Sequence, residues 1–195
     1  MKVTDAIGFI MGKMQEELPK NLYYHSILHI HDVMESAKKL ASLENIGEYE
    51  CNLLLTAVAY HDCGFIYQIN NHELKGCEIA RELLPSFEYQ ETEIEAICNM
   101  IMATKIPQSP KNLLEEIICD ADLDYLGRTD FWEIGNKLYH ELTTLGVLEN
   151  EEQWNKLQQK FLSNHHYFTN SAKSLRQETK LKYLEKINII VASYQ

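Results

Sequence analysis

The sequence predicts an all-helical protein, and three observations lead to that prediction. Apolar residues recur at intervals of three and four along almost the whole chain, which is the period of an α-helix. The alternation of apolar and polar residues that marks a β-strand is convincing nowhere. The 4 prolines fall between the periodic segments, where helices end.

Familiar signals bound the predicted helices. Pro19 follows the first helix, Gly47 separates the second from the third, and Pro85 follows the fourth. Pro107 and Pro110 mark the longest irregular stretch of the chain. We therefore expect nine helices, at about residues 3–17, 26–43, 48–62, 72–84, 89–103, 111–124, 130–145, 150–164 and 170–193.

Length and composition predict one ordinary globular domain. A chain of 195 residues can bury a core without disulfides or a structural metal, so we expect residues 1–195 to form a single domain. Its hydrophobic content of 45% and charged content of 24% are usual for a soluble protein.

Net charge and cysteine usage limit the partners and the compartment. The formal net charge of −11 repels phosphate backbones, so we expect no nucleic-acid polymer as a partner. No apolar run reaches the ~18 residues that span a bilayer, so no membrane partner is expected. The 5 cysteines show no paired spacing and no signal peptide is recognisable, which together favour a reduced, cytoplasmic location. The apolar last helix could pack within the bundle or across a homodimer.

Two histidines open the second predicted helix. His25 and His29 are four residues apart, so on a helix they project from one face, about 40° apart around the axis. His31 lies roughly 200° from His29 and faces elsewhere. Histidine pairs at this spacing are found on helix surfaces and in cores more often than as metal ligands.

A His-Asp pair ends the third predicted helix. The apolar run 53–60 leads into His61-Asp62, and Gly64 ends the helix. Adjacent helical residues diverge by about 100°, close to the angle between two ligands of one ion. A neutral imidazole beside a carboxylate is a common ligand pair for a divalent metal. The other such pair, His31-Asp32, sits in mid-helix among charged residues and is most simply a solvated face.

Carboxylates stand at the end of the sixth predicted helix, which is otherwise apolar. Asp120, Asp122 and Asp124 follow the apolar run 117–119. An ionised carboxylate in such a position is costly unless something positive meets it, and a metal ion would do so. Surface charge or helix capping is the commoner explanation of clustered acids. The prediction of a metal site therefore depends on the ordered combination of a histidine, a His-Asp pair and a later aspartate.

That ordered combination resembles the HD-domain metal-dependent phosphohydrolase superfamily. The resemblance covers about residues 23–128 and leaves residues 129–195 as a helical C-terminal extension. It implies a compact multi-helix bundle that holds a metal ion between helices. Binuclear members of the superfamily place further histidines between the His-Asp pair and the last aspartate. Only His72 lies in that interval here, which favours one divalent ion.

Carried over residue by residue, the resemblance implies four metal ligands. His29 corresponds to the first ligand, His61 and Asp62 to the paired ligands, and Asp122 to the last. Asp120 competes with Asp122, because a shift in register would exchange the two. This ligand set is compatible with Mn, Fe, Ni, Co, Zn or Mg, so the sequence leaves the metal open.

A second resemblance concerns the proton donor. The segment Tyr24-His25-Ser26-Ile27-Leu28-His29 is similar to the Tyr-His-Asn-x-x-His stretch of cyclic-nucleotide phosphodiesterases, in which the first histidine donates a proton. Here a serine replaces the asparagine. The resemblance implies that His25 is a general acid, and that Asp122 or Asp120 orients or deprotonates a metal-activated water.

The resemblance implies an enzyme that hydrolyses a small phosphate ester, a nucleotide or cyclic nucleotide being the expected substrate. Lys75, Lys105 and Arg128 flank the implied ligands and are candidates for binding its phosphate, and His72 is a candidate for a phosphate or a second ion. One alternative is a di-iron oxygenase, which would need more histidines than this chain has. The other is a non-catalytic nucleotide-sensing, metal-sensing or interaction module on the same fold.

Overall fold

The structure, a computed structural model, describes residues 1–194 and is all-helical in that range, as predicted. Every helix begins and ends within two residues of its predicted bounds. None of these helices combines the length and the apolar content needed to cross a bilayer. Within residues 1–194 the nine α-helices are α1 (Val3–Glu17), α2 (Ile27–Leu43), α3 (Glu48–Tyr60), α4 (His72–Leu83), α5 (Glu91–Ala103), α6 (Leu113–Asp122), α7 (Phe131–Thr144), α8 (Glu151–Asn164) and α9 (Asn170–Ala192).

Short 3-10 turns follow three of the helices. They span Cys63–Ile66 after α3, Leu84–Phe87 after α4 and Asp124–Gly127 after α6. The first and the last of these turns come directly after Asp62 and close to Asp122. The acidic ligand candidates therefore lie at helix ends, where the chain changes direction.

Helix α3 lies in the larger of two hydrophobic clusters. Its residues Leu54, Ala57, Val58 and Tyr60 are fully buried, and the helix packs against α1, α2 and α5. Each buried Leu or Val side chain contributes about 1.5–3 kcal/mol to folding. Because neighbours surround α3 on several sides, the His61-Asp62 pair at its end is held in a fixed position.

A second, smaller cluster joins the C-terminal helices to the turn Asp124–Gly127. Phe131 of α7 stacks on Tyr183 of α9, with ring centroids 4.4 Å apart. Arg176 of α9 donates to both carboxylate oxygens of Asp124, at 2.6 and 2.9 Å. These contacts hold the predicted C-terminal extension against the part of the chain that carries the ligand candidates. The assignment of residues 1–195 to one domain stays a prediction.

Gly64 allows the turn after Asp62 to lie directly against the start of α4. A Cβ atom at this position would lie 2.0 Å from the carbonyl oxygen of His72 and 2.7 Å from its carbonyl carbon. Any larger side chain would therefore have to move one of the two backbones. This close approach sets the spacing between His61-Asp62 and His72.

We expect Gly64→Ala to lower the free energy of unfolding by roughly 1–3 kcal/mol, the usual cost of overpacking a closed contact. Gly12→Ala is the matched control. Gly12 lies in α1, where an added Cβ meets nothing within 4 Å, so alanine should stabilise that helix by roughly 0.5–1 kcal/mol. Chemical denaturation measures both changes, and equal stability of the two variants would contradict the close contact at Gly64.

Candidate metal centre

Four candidate ligand atoms converge at the ends of three helices. His29 lies in the first turn of α2, His61 and Asp62 follow α3, and Asp122 ends α6. Nε2 of His29 lies 3.1 Å from Oδ1 of Asp122 and 3.5 Å from Oδ2 of Asp62. Nε2 of His61 lies 3.3 Å from Oδ2 of Asp62 and 3.6 Å from Oδ1 of Asp122. The structure thus brings all four predicted ligands together.

The separations among His29, His61 and Asp122, whose ligand atoms all lie within 4.8 Å of one another, fit one divalent ion, and Asp62 stands beside this group. Ligand atoms about 2.1 Å from an ion, at tetrahedral or octahedral angles, stand about 3.0–3.4 Å apart. Nε2 of His61 and Oδ2 of Asp62 are buried and have no hydrogen-bond partner within residues 1–194. Nδ1 of His61 donates to the carbonyl oxygen of Val58 at 2.8 Å, which makes Nε2 the atom available for coordination. The residues present therefore suit a metal ion.

The electrostatics of this cluster favour positive charge at its centre. Burial alone would lower the pKa of His61, but the carboxylates of Asp62 and Asp122 raise that pKa well above its ordinary value. Burial would raise the pKa of Asp62, yet His61 holds it well below its usual range. Burial would raise the pKa of Asp122, yet the hydrogen bond with His29 and the nearby imidazole of His61 lower it. Protons or a metal ion have to neutralise the two carboxylates.

Asp120 lies outside the cluster, which corrects its prediction as an alternative ligand or catalytic group. Its Oδ1 accepts a hydrogen bond from the backbone N–H of Phe168, and its Oδ2 accepts from the N–H and the hydroxyl of Thr169, all at 2.8 Å. Thr169 is the N-cap residue of α9, so Asp120 anchors the start of that helix. Residues two apart on a helix face about 200° apart, so only one of Asp120 and Asp122 can face α2 and α3.

His25 lies beside the cluster but outside α2, which corrects the prediction that it shares a helical face with His29. Ser26 has extended backbone and is the N-cap residue, so α2 begins only at Ile27. The chain instead turns back before the helix, and the ring centroids of His25 and His29 are 6.1 Å apart. The two imidazoles are therefore neighbours for a reason other than helical periodicity.

Glu141 of α7 is an acidic partner that the sequence analysis missed. Its Oε2 accepts hydrogen bonds from the backbone N–H groups of Tyr24 and His25 at 2.8 and 3.0 Å, and its Oε1 is bonded to Nδ1 of His25. Burial opposes its ionisation, but the bond from His25 lowers the pKa of Glu141. A signal was present in the sequence, because Ile134, Leu138 and Glu141 have the spacing of one apolar helix face.

Phe65 lies between the rings of His25 and His72. Its centroid is 4.3 Å from that of His25 and 3.9 Å from that of His72. Nε2 of His72 lies 3.4 Å from Oδ1 of Asp62. Burial lowers the pKa of His72, but Asp62 more than offsets this effect and raises it. Nδ1 of His72 donates to the carbonyl oxygen of Ile69 at 3.1 Å, so this predicted substrate residue stands at the edge of the cluster with Nε2 toward Asp62.

A cavity of about 210 Å³, called the metal-side cavity below, opens on the cluster. Its charged wall contains Asp62, Asp122, Glu73, His25 and His72. The rest of its wall is mainly apolar and comes largely from α7, α8 and the turn after α6. That wall comprises Tyr24, Thr104, Ile106, Leu123, Tyr125, Leu126, Phe131, Leu138, Trp154, Leu157, Gln158, Phe161 and Leu162.

The three predicted cationic substrate residues do not line this cavity. Lys75 is bonded to a glutamate three residues further along α4, at 2.8 Å. Arg128 donates to Asp32 at 2.7 Å, and Lys105 donates to Oδ1 of Asn71 at 2.8 Å. Proximity in sequence suggested these residues, but a neighbour on the same helix holds the charged group of Lys75, and residues distant in sequence hold those of Arg128 and Lys105. Their assignment to the substrate is corrected accordingly.

Three solved structures share the fold over nearly the full length of both chains. A predicted HD superfamily hydrolase from an uncultured Thermotogales bacterium is 18% identical, with a TM-score of 0.63, and the match covers 98% of this chain and 92% of that one. A Lactobacillus plantarum protein is 16% identical, with a TM-score of 0.66 and coverage of 99% and 100%. Bacillus subtilis YpgQ, solved in complex with ADP, is 18% identical, with a TM-score of 0.61 and coverage of 96% and 95%. The HD-domain-like fold that the motif resemblance implies is thereby confirmed.

Sequence comparison adds one relative. An uncharacterised protein of Clostridium beijerinckii is 28% identical over 109 residues, which are 54% of this chain and 69% of that protein. No family model matches the chain.

We expect the wild-type protein, purified without chelators, to carry about one transition-metal ion per chain, and the double variant His61→Ala/Asp62→Ala to carry none. His31→Ala/Asp32→Ala is the matched control, because it removes the other His-Asp pair, which lies outside the cluster. Elemental analysis gives the metal content, and circular dichroism checks that each variant is helical. Equal metal content in the two variants would rule out the site.

Substitution of Asp122 should weaken metal binding, whereas substitution of Asp120 should lower stability. We expect Asp122→Asn to raise the dissociation constant for the metal by on the order of 100-fold, since a charged ligand is lost. Asp120→Asn should keep the metal but lower the free energy of unfolding by roughly 1–3 kcal/mol, because donors at the start of α9 lose their charged acceptor. Metal titration and chemical denaturation of both variants test this division. Loss of metal from Asp120→Asn alone would reverse the ligand assignment.

Proposed function

We propose that this chain is a metal-dependent phosphohydrolase, a phosphomonoesterase or phosphodiesterase whose substrate is a nucleotide or cyclic nucleotide. The observation that carries the proposal is the convergence of two imidazole nitrogens and two carboxylate oxygens at the wall of a cavity, with separations of 3.1–3.6 Å. The HD-domain-like fold, shared with a predicted hydrolase, supports it. The ion is one of Mn, Fe, Ni, Co, Zn or Mg.

His29, His61, Asp62 and Asp122 would hold the ion. When bound, a divalent ion lowers the pKa of water to about 7 and draws charge from a phosphoryl oxygen. Asp122 has the most exposed side chain of the four and lines the cavity, so its carboxylate is the one suited to orient the attacking water. Asp120 has no part in this step, since both of its oxygens are engaged at the start of α9.

His25 would protonate the leaving oxygen of the ester. It lines the metal-side cavity, and the bond from its Nδ1 to Glu141 leaves Nε2 as the nitrogen that can deliver a proton to the substrate. A buried carboxylate at Nδ1 stabilises the imidazolium and fixes the ring orientation, as in other histidine-carboxylate pairs. Proton donation by a positioned side chain contributes about 10²–10⁴-fold to rate.

The apolar wall supports a substrate with a flat ring system. Phe131, Trp154 and Phe161 supply aromatic surface, and Gln158 provides an amide that can bond to the edge of a base. Bacillus subtilis YpgQ, which has the same fold, was solved in complex with ADP. That likeness is one of fold, and it supports a nucleotide without naming one.

Charge makes the ion a requirement for substrate binding. Asp62, Glu73 and Asp122 line the metal-side cavity, and in the described part of the chain neither a lysine nor an arginine does so. A phosphate group would therefore be repelled unless a divalent cation were bound. His25 and His72 are imidazoles in this wall that could donate hydrogen bonds to phosphoryl oxygens.

The direct test uses protein loaded in turn with each of the six metals. The substrates are bis-p-nitrophenyl phosphate, p-nitrophenyl phosphate, ADP and 3′,5′-cyclic AMP, and the readout is released product. Turnover that disappears in His61→Ala/Asp62→Ala supports the proposal. Metal-dependent binding of ADP or cyclic AMP without turnover of any substrate would favour the non-catalytic sensor instead, and absence of both binding and turnover would overturn the proposal.

We expect Glu141→Gln to lower kcat about 10²-fold while the metal content is unchanged, because the imidazolium of His25 loses its charged partner. Glu133→Gln is the matched control on the same helix. Glu133 is an exposed residue that pairs with Lys137 at 3.3 Å, so its loss should leave kcat unaltered. His25→Asn should reproduce the loss seen in Glu141→Gln. Full activity in both His25→Asn and Glu141→Gln would remove His25 from the reaction.

A further inference from the structure

A second cavity, called the basic cavity below, adjoins the metal-side cavity and shares four lining residues with it. Its volume is about 310 Å³. Ile106, Leu123, Leu157 and Phe161 line both cavities. The remaining lining residues are Pro107, Gln108, Lys160, Asn164, His165, His166 and Phe168. The wall thus combines apolar surface with basic and amide groups.

Among the residues that the structure describes, no Asp or Glu lines the basic cavity. The protein has 29 acidic residues and a net charge of −11, yet residues 153–177 contain no Asp or Glu. The same segment contains Lys156, Lys160, Lys173 and Arg176. The metal-side cavity has the opposite character: within residues 1–194, three carboxylates and neither lysine nor arginine line its wall.

Two lysines at the basic cavity have no carboxylate partner within residues 1–194: Lys160 lies in the cavity wall, and Lys180 is bonded to the lining residue His165. Lys160 is exposed, and within residues 1–194 no acidic side chain pairs with it. Lys180 of α9 is only 1% exposed, and its Nζ donates to the carbonyl oxygen and to Nδ1 of His165 instead of to an acid. Burial lowers the pKa of Lys180, and no acidic side chain within residues 1–194 offsets that effect.

The ring of His165, which is bonded to Lys180, supplies an oriented N–H donor to the wall of the basic cavity. Burial and the nearby Lys180 lower the pKa of His165 to about 3, so its ring is neutral. Because Nδ1 accepts from Lys180 at 3.3 Å, the ring hydrogen is on Nε2. Nε2 is buried and has no hydrogen-bond partner within residues 1–194. The positive end of the ring dipole therefore lies at the Nε2–H group, which has no hydrogen-bond acceptor within residues 1–194.

We propose that the basic cavity binds a small organic anion, in which a flat apolar body carries a carboxylate, phosphate or sulfonate group. The apolar body would lie against Leu157, Phe161 and Phe168, and the anionic group would lie by Lys160 and Nε2 of His165. This site is separate from the metal centre, and binding there requires neither the ion nor hydrolysis. Charge complementarity favours an anionic occupant, because no carboxylate among the described lining residues would repel it.

The test uses 1-anilinonaphthalene-8-sulfonate, an apolar ring system with one sulfonate, and follows its fluorescence in a titration of the metal-free protein. The neutral analogue N-phenyl-1-naphthylamine lacks the sulfonate and serves as the matched ligand. We expect the sulfonate to bind more tightly than the neutral analogue. In Lys160→Gln its dissociation constant should rise about fivefold, the effect of removing one partly solvated charge, and it should rise further in Lys160→Glu.

Lys156→Gln is the matched control variant. Lys156 lies one turn earlier on α8, pairs with Glu152 at 2.6 Å and does not line the cavity, so its substitution changes net charge equally. We expect binding of the sulfonate to this variant to match the wild type within twofold. Equal affinities of Lys160→Gln and Lys156→Gln, with both folded by circular dichroism, would overturn the proposal. So would equal affinity of the wild type for the charged and the neutral probe.

Discussion

The structure depends on how two buried carboxylates are neutralised. Asp62 and Asp122 face each other across two imidazoles at the ends of α3 and α6, with α2 closing the third side. Buried carboxylates are tolerated only when positive charge and hydrogen bonds meet them, so the three helix ends have to stay close together. The apolar packing around α3 supplies that rigidity. The hydrophobic core and the candidate site therefore depend on each other. Packing of α3 holds His61 and Asp62 in place, and the same packing buries their polar atoms, which then need a partner of opposite charge.

Buried acids also connect the two halves of the chain. Asp120 caps the start of α9, Asp124 binds Arg176 of α9, and Glu141 of α7 binds the backbone before α2. Each bond joins residues roughly 50 to 120 positions apart, so the C-terminal helices are attached by polar contacts close to the candidate metal centre. Through Glu141 those helices also determine where the His25 ring lies. The region that the family resemblance left as an extension thus completes the surroundings of the site.

Helical periodicity was enough to predict the fold and part of the site. The apolar run before His61-Asp62 and the glycine after it identified this pair correctly as the end of a buried helix. Periodicity was insufficient where local chemistry ends a helix, since Ser26 caps α2 and leaves His25 outside it. It also could not identify which partner a charged group finds across the fold. Glu141 was missed for that reason, and Arg128 was assigned to a substrate although Asp32 holds it.

Residues 153–177, which contain no Asp or Glu, affect the direction from which dissolved anions approach the protein. A chain with net charge −11 surrounds itself with a repulsive field that slows the diffusional approach of any anion. That field is weakest where carboxylates are missing, so encounters with anions are biased toward the side of the molecule formed by α8 and the start of α9. Added salt shortens the Debye length to about 8 Å at physiological ionic strength, which weakens long-range repulsion more than short-range attraction. The charge distribution therefore favours the approach of anions from this side of the protein, and the strength of that preference depends on ionic strength.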